Sequence, residues 1–172
     1  MAIIRVETEV KASPTLCFDL KRSVELHVTS TGDSGERAVA GVTSGLIGEG
    51  QEVTWSAKHF GIRQKLTSRI TAFDRPRHFR DSLVRGAFAR FDHDHYFEPY
   101  DGGTKMIDVF DYSAPLGPLG RLAERLFLNR YMRRLLIERG LGIKAVAESG
   151  DHARYLSAAQ PAVAADGASP RR

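Results

Sequence analysis

Apolar and polar residues alternate with a period of two along the first segment of the chain, residues 2–10. Even-numbered positions there carry apolar side chains or threonine, and odd-numbered positions from Arg5 onward are charged. This alternation is typical of a β-strand with one buried face. Ser13 and Pro14 then favour a helix start, because serine accepts a hydrogen bond from the first turn and proline fits its first position. The pattern predicts one strand and then two short helices over residues 14–31.

Strands separated by recognisable turns are predicted from about residue 37 to 114. Phe60-Gly61 has the composition of a two-residue hairpin loop, and Asp101-Gly102 is a stronger signal of the same kind. Facing residues of an antiparallel hairpin share one face of the sheet. The second turn therefore places His95 opposite Asp108. A slipped register at this turn would leave both side chains on the same face.

A long helix is predicted after the last strand. Apolar residues recur at helical spacing from Leu119 to Val146 and form a broad arc, so the helix should reach about Glu148 and pack against the sheet. Gly140 and Gly142 interrupt this pattern. Each glycine in a helix interior costs roughly 1 kcal/mol relative to alanine, so we expect a bend or a close approach to a neighbouring element there.

The composition fits one domain followed by a tail. The 172 residues are 42% hydrophobic and 27% charged, which is ordinary for a globular protein able to build its own core. After Gly150 the chain turns to alanine, serine, proline and glycine, which indicates disorder. We therefore predict one domain over residues 1–150 and a disordered tail over residues 151–172.

Charge and cysteine content narrow the function classes. The net charge of +4 comes from scattered residues, and the arginines between Arg121 and Arg139 would point almost all round a helix. Nucleic-acid binding needs basic residues on one face, so we predict no nucleic-acid binding.

Cys17 is the only cysteine, and an intrachain disulfide is therefore impossible. With an early charge at Arg5 and no apolar run of membrane length, we expect a soluble cytoplasmic protein without a transmembrane segment.

Several motifs resemble a known superfamily over about residues 1–148. They are Val53-Thr54-Trp55, Lys58-His59-Phe60-Gly61, Arg69-Ile70-Thr71, Gly86-Ala87-Phe88, His93-Asp94-His95-Tyr96-Phe97-Glu98, Gly102-Gly103-Thr104-Lys105-Met106 and Pro115-Leu116-Gly117-Pro118-Leu119-Gly120. The sequence is similar to the START-like helix-grip superfamily, also called SRPBCC, and within it to small bacterial proteins related to polyketide cyclases and dehydrases. The resemblance implies an α+β fold of order β-α-α-β(5–6)-α, in which a curved antiparallel sheet wraps around a long C-terminal helix. It also implies a cavity between them for an apolar or amphiphilic small molecule.

The two hairpins place a mostly apolar set of residues, with a few polar ones, on the concave face of the sheet. Such a wall is typical of a small-molecule pocket, although the apolar members would also suit an ordinary core. The predicted ligand-binding residues are Trp55, His59, Phe91, His93, His95, Phe97, Met106, Asp108, Phe110 and Tyr112. Asp81 and Arg85 lie near the end of a strand whose face is ambiguous, so the pattern leaves open whether they reach the rim of the cavity.

Three roles are open for the polar members. His95 assisted by Asp108 has the pattern of a general base, since a carboxylate fixes the tautomer of an imidazole and raises its basicity. The same residues would also serve as a structural hydrogen bond or orient a ligand. Zinc binding by His93 and His95, with His59 as a third ligand, lacks a compact spacing signature. The sequence therefore predicts no metal and no cofactor.

Three functions follow from these observations. The leading hypothesis is the binding of a hydrophobic or amphiphilic, lipid- or polyketide-like molecule in the cavity. The second is an enzyme of the cyclase or dehydrase kind that uses His95 and Asp108 as catalytic residues. The third is a protein-interaction module in which the tail and the arginine-rich helix contact a partner. The pattern favours binding over turnover.

Overall fold

The computed structural model describes residues 2–30, 35–156 and 160–161. Its strands and helices follow the predicted order. The elements are β1 (Ala2–Val10), α1 (Pro14–Lys21), α2 (Val24–Ser30), β2 (Arg37–Ser44), β3 (Glu52–His59), β4 (Ile62–Asp74), β5 (His78–Arg85), β6 (Arg90–Tyr100), β7 (Gly103–Ser113), α3 (Pro118–Ala123), a π-helical turn (Glu124–Leu128), α4 (Asn129–Ser149), a 3₁₀ turn (Ala153–Tyr155) and β8 (Gln160–Pro161).

All neighbouring strands of the sheet that the described residues form are antiparallel, in the order β1-β7-β6-β5-β4-β3-β2-β8. The hairpin registers predicted from the turns are confirmed: Trp55 pairs with Leu66, and His95 pairs with Asp108. Register shifts in the β2–β3 and β4–β5 pairs are irregularities of the kind that bend a sheet.

The predicted α+β helix-grip architecture is confirmed. The sheet curves around a C-terminal helical run of 32 residues, formed by α3, the π-helical turn and α4. Helix α4 packs against β1, α1 and α2. Helix α1 begins as the sequence predicted, with Ser13 Oγ accepting a hydrogen bond from the backbone N–H of Leu16 at 3.3 Å.

Helix α1 fills one part of the concave face with aromatic packing. Phe18 is fully buried, and its ring meets those of Phe73, Phe79 and Phe97 edge-on at centroid distances of 5.2, 5.4 and 5.3 Å. Edge-to-face contacts of this kind stabilise a core beyond the area they bury. The neighbouring Cys17 is also fully buried and packs in the same core.

The folded chain extends beyond the predicted boundary at residue 150. Tyr155 is 7% exposed and belongs to the main core, and residues 160–161 pair with β2. A large apolar side chain in the core anchors this part of the chain, which explains why a composition rich in small residues was a poor guide there. The remainder of the predicted tail, residues 157–159 and 162–172, lies outside the described residues.

The two glycines of α4 allow close contacts with other elements, as the sequence predicted. A Cβ atom added at Gly140 would lie 2.5 Å from Thr8 Oγ1 on β1, and one added at Gly142 would lie 2.8 Å from Ser30 Cβ on α2. Both distances are shorter than a van der Waals contact. The glycines therefore let α4 sit against the sheet and α2.

We predict that Gly140→Ala lowers the free energy of unfolding by about 1–3 kcal/mol, the usual cost of overpacking a core, despite the better helix propensity of alanine. Urea denaturation would measure the change. Thr8→Ala removes the atom at 2.5 Å, and the next atom, Thr8 Cβ, lies at an ordinary 3.5 Å. In the Thr8→Ala background, Gly140→Ala should therefore lower the free energy of unfolding by much less. An equal cost in both backgrounds would contradict the contact.

Candidate functional site

A cavity of about 420 Å³ lies between the concave face of the sheet and the C-terminal helical run. Small-molecule sites usually have about 300–1,000 Å³. Its walls come from α1, α2, strands β3 to β7, α3, the π-helical turn and α4, and most of them are apolar. The sheet supplies Trp55, Leu66, Ile70, Phe91 and Phe110, and the helices supply Leu128, Met132, Leu135 and Leu136.

One end of the cavity reaches the surface through an apolar mouth. We define the mouth as Phe60, Leu116, Leu119 and Phe127, which line the cavity although they are between 47% and 78% exposed. The ring of Phe60 meets that of Phe127 edge-on at 5.4 Å. Exposed apolar residues grouped in this way usually mark a binding site rather than ordinary surface.

The other end of the cavity, which we call the polar end, is lined by charged and imidazole side chains. They are Lys21, His27, Glu36, Asp81, His93, His95 and Arg139. The polar end thus combines groups from α1, α2, β5, β6 and α4 with Glu36 of the loop before β2.

A buried ion pair lies behind the polar end. Lys21 Nζ on α1 lies 2.8 Å from the carboxylate of Asp108 on β7, and both side chains are 2% exposed. Burial lowers the pKa of Lys21, while the charge of Asp108 acts in the opposite direction. Burial also works against the charge of Asp108, yet Lys21 and the hydrogen bonds from His93 and His95 hold its pKa well below the usual range.

Two histidines contact the same oxygen of Asp108. His93 Nε2 lies 3.0 Å and His95 Nδ1 lies 2.8 Å from Asp108 Oδ1. An ionised carboxylate only accepts hydrogen bonds, so each of these nitrogens carries a hydrogen and donates it. Burial and the neighbouring His95 lower the pKa of His93 to about 4, and His93 is therefore neutral at pH 7.

The outward-facing nitrogens of the two histidines point towards Asp81. Its Oδ1 lies 2.9 Å from His95 Nε2 and 3.7 Å from His93 Nδ1. Burial favours the neutral acid, but the contact with His95 and the positive charge of Arg139 outweigh it and lower the pKa of Asp81 to about 2. Asp81 is thus ionised at neutral pH beside two imidazole rings.

His27 forms a second arrangement at the polar end. Its ring stacks on Trp55 at a centroid distance of 3.8 Å and an angle of 11°. Arg139 donates a hydrogen bond to His27 Nδ1, and His27 Nε2 lies 3.1 Å from Glu36 Oε2. Because Nδ1 accepts, the hydrogen of the neutral ring lies on Nε2, where it is donated to Glu36.

The structure separates the predicted ligand-binding residues into two groups. Those that line the cavity are Trp55, His59, Phe91, His93, His95 and Phe110. Asp108 lies behind the histidines and accepts a hydrogen bond from each of them. Phe97 and Met106 pack in the core that includes Phe18 of α1, and the hydroxyl of Tyr112 donates to Asn129 Oδ1 at 2.7 Å. Phe97, Met106, Asp108 and Tyr112 are thus buried in the packed interior and are not among the residues that line the cavity.

The strand register and the helix positions also determine where His59, Asp81 and Arg85 lie. His59 Nδ1 lies 2.7 Å from the hydroxyl of Tyr131 near the mouth, so His59 does not join His93 and His95. Asp81 lies at the polar end itself. Arg85 is exposed and donates to Thr67 Oγ1 at 3.2 Å.

Sequence reasoning missed Lys21, His27, Glu36 and Arg139. Lys21 ends α1, a helix with apolar residues at helical spacing, which was a weak signal of burial. The other three had no distinguishing pattern, and Arg139 was one of many arginines in its segment. Their roles depend on how the helices dock on the sheet.

We predict that the free energy of unfolding falls as the pH drops below about 6.5, partly because of His27. Burial and the charge of Arg139 lower its pKa, so below the ordinary histidine pKa of about 6.5 the unfolded chain binds a proton that the folded chain resists. His27→Gln should therefore reduce the slope between about pH 6 and 5 by up to about 1 kcal/mol per pH unit. Urea denaturation across this range would measure it, with His78→Gln on the outer face as the control. Equal pH dependence in His27→Gln and the parent protein would contradict the assignment.

Comparisons with known proteins support the fold. No protein-family model matches the sequence, and no curated protein matches it. Among solved structures, the protein TTHA0849 from Thermus thermophilus has a TM-score of 0.71 and 18% identity, covering 87% of this chain and 99% of that one. The Zhui aromatase/cyclase from Streptomyces sp. R1128 has a TM-score of 0.70 and 15% identity, covering 91% and 99%. The major latex-like protein 151 of Panax ginseng has a TM-score of 0.59 and 15% identity, covering 85% and 97%.

A search of the described helices finds none that is both long and apolar enough to span a membrane. A cytoplasmic location stays a prediction.

The solved structures and the topology agree on one conclusion: the chain has the START-like helix-grip fold that the sequence motifs implied.

Proposed function

We propose that the protein binds an amphiphilic small molecule, lipid- or polyketide-like, with its apolar part along the cavity and its polar group at the polar end. The observation that carries this proposal is a cavity of about 420 Å³ with apolar walls, an exposed apolar mouth and a buried polar end. Burial against apolar walls stabilises a bound ligand by about 0.8 kcal/mol for each CH₂ group removed from water. Convergent polar groups then fix its orientation.

Arg139 is the residue at the polar end best suited to hold the polar group of a ligand. Lys21 lies against Asp108, and the outward nitrogens of His93 and His95 lie near Asp81. A guanidinium group has five N–H donors, and within the described part of the chain Arg139 uses one of them in its bond to His27. A carboxylate or carbonyl oxygen on the ligand is the matching acceptor.

The solved structures are compatible with such a ligand. One of them is an aromatase/cyclase by name, and it has the same fold over nearly its whole length. Identity of 15% carries the fold alone, since one fold can host unrelated functions. An aromatic polyketide is therefore proposed here as one class of ligand to test beside lipids.

The cyclase or dehydrase alternative has weaker support. A general base needs a nitrogen free to take a proton from the substrate. His95 Nδ1 donates to Asp108 at 2.8 Å, and the carboxylate of Asp81 already lies 2.9 Å from His95 Nε2, where a substrate proton would have to approach. Asp108 supports the rings from behind and is not among the residues that line the cavity. Binding, without proton transfer by His95, fits this arrangement better.

The interaction-module alternative depends mainly on tail residues that lie outside the described chain.

We predict that Met132→Trp weakens ligand binding at least about tenfold, because the indole ring would occupy part of the cavity. Ile137→Trp is the matched control, since Ile137 is on the same helix, does not line the cavity and is 38% exposed. Calorimetric titration with 8-anilinonaphthalene-1-sulfonate, dodecanoate and an aromatic polyketide would give the affinities. Native mass spectrometry of the purified protein would show any molecule that copurifies.

Two results would overturn the proposal. One is equal affinity of the two tryptophan variants for a probe that the parent protein binds. The other is a parent protein that carries no copurified molecule and shows neither a heat of binding nor a change in melting temperature with any of the three probes.

A further inference from the structure

Three metal-ligand atoms converge at the polar end from two neighbouring strands. Asp81 on β5 pairs directly with His93 on β6, and His95 lies two residues further along β6 on the same face. One carboxylate oxygen of Asp81 and one ring nitrogen of each histidine all lie within 4.8 Å of one another. All three side chains line the cavity. The third ligand atom comes from Asp81, and His59, the third ligand that the sequence suggested, lies against Tyr131 instead.

The ion pair behind the histidines determines which nitrogens are available. His93 Nε2 and His95 Nδ1 both donate to Asp108, and Asp108 is held ionised beside Lys21. In a neutral imidazole the other nitrogen then carries a lone pair. A carboxylate that fixes the tautomer of a histidine in this way is the usual partner of metal-binding imidazoles.

The lone pairs leave three electron donors facing one another. His95 Nε2 and His93 Nδ1 lie 2.9 Å and 3.7 Å from Asp81 Oδ1. The 3.7 Å contact between His93 Nδ1 and Asp81 Oδ1 exceeds hydrogen-bonding distance, so no direct hydrogen bond joins these two residues. A cation bound between the three atoms would accept an electron pair from each of them.

We propose that Asp81, His93 and His95 bind a divalent transition-metal ion such as Zn²⁺ or Fe²⁺. Two imidazoles and one carboxylate are a donor set found in catalytic zinc sites and in non-haem iron sites, whereas Mg²⁺ and Ca²⁺ prefer oxygen donors alone. Bond lengths of about 2.0–2.2 Å in tetrahedral geometry separate the ligand atoms by roughly 3.3 Å. The observed separations of 2.9 and 3.7 Å lie on either side of that value.

The open coordination positions of the ion would face the cavity, since its three ligands line that wall. An oxygen donor on the bound molecule, such as a carboxylate or an enolate, would fill them. This last point rests on the proposed function, whereas metal binding itself does not. Failure to bind a metal would leave the apolar cavity and its ligand test untouched.

The chain contains a matched control for this site. His78 on β5 and Asp94 on β6 form another histidine–carboxylate contact on the same two strands, with His78 Nε2 2.7 Å from Asp94 Oδ1. This contact lies on the outer face, and Arg80 also donates to Asp94 there. A guanidinium in that position competes with a metal ion for the carboxylate.

The test uses untagged full-length protein stripped with EDTA and titrated with Co²⁺ or Zn²⁺ alone. We expect one ion per chain by calorimetry, and visible d–d absorption bands with Co²⁺ that report nitrogen and oxygen ligands. His95→Gln and Asp81→Asn should each weaken binding by more than roughly 100-fold, since even the loss of an outer hydrogen-bond partner costs about 10- to 100-fold. His78→Gln should bind as the parent protein does.

Three outcomes would overturn the proposal. The parent protein binds neither ion, or both substitutions at the site leave binding unchanged, or His78→Gln loses as much affinity as His95→Gln. Asp81→Asn keeps the size of a side chain that is 21% exposed, so it decides the question if His95→Gln does not fold. Circular dichroism of each variant would establish that it folds.

Discussion

The buried ion pair between Lys21 and Asp108 is the interaction on which the site depends. Both side chains are 2% exposed, and taking each charge out of water costs several kcal/mol. The pair compensates for that cost with a 2.8 Å contact and with hydrogen bonds from His93 and His95 to the same carboxylate. Removing either partner would leave an uncompensated charge, typically a loss of about 3–5 kcal/mol. The pair therefore ties α1 to β7 and fixes the orientation of both imidazole rings.

The cavity results from an uneven filling of the concave face. Under α1 the face is closed by the aromatic cluster around Phe18, which also covers Phe97. Towards the mouth, the space between the sheet and the C-terminal helical run stays open, with exposed apolar residues at its entrance. The close approach of α4 to β1 at Gly140 anchors the helix at a fixed distance from the sheet. The interior is thus a packed core under α1 and a cavity with apolar walls towards the mouth.

The sheet and its register could be predicted from the sequence because they depend on local signals. An alternation with a period of two and two-residue turns were sufficient to place His93, His95 and Asp108 on one face. The polar end could not be predicted in full. Lys21, His27 and Arg139 reach it through the docking of three helices, which no local pattern encodes. Asp81 was ambiguous because the β4–β5 pair contains register shifts near it, so that strand β5 gave no clean alternation.

The geometry of the polar end requires that an ionised Asp108, held by Lys21, accept hydrogen bonds from both histidines. Long-range ¹H–¹⁵N correlation spectra of the histidine side chains at neutral pH test it most directly, because they show which ring nitrogens carry hydrogens. We expect a hydrogen on Nε2 of His93 and a hydrogen on Nδ1 of His95, opposite nitrogens in the two rings. A bare Nε2 in His93 or a bare Nδ1 in His95 would contradict it.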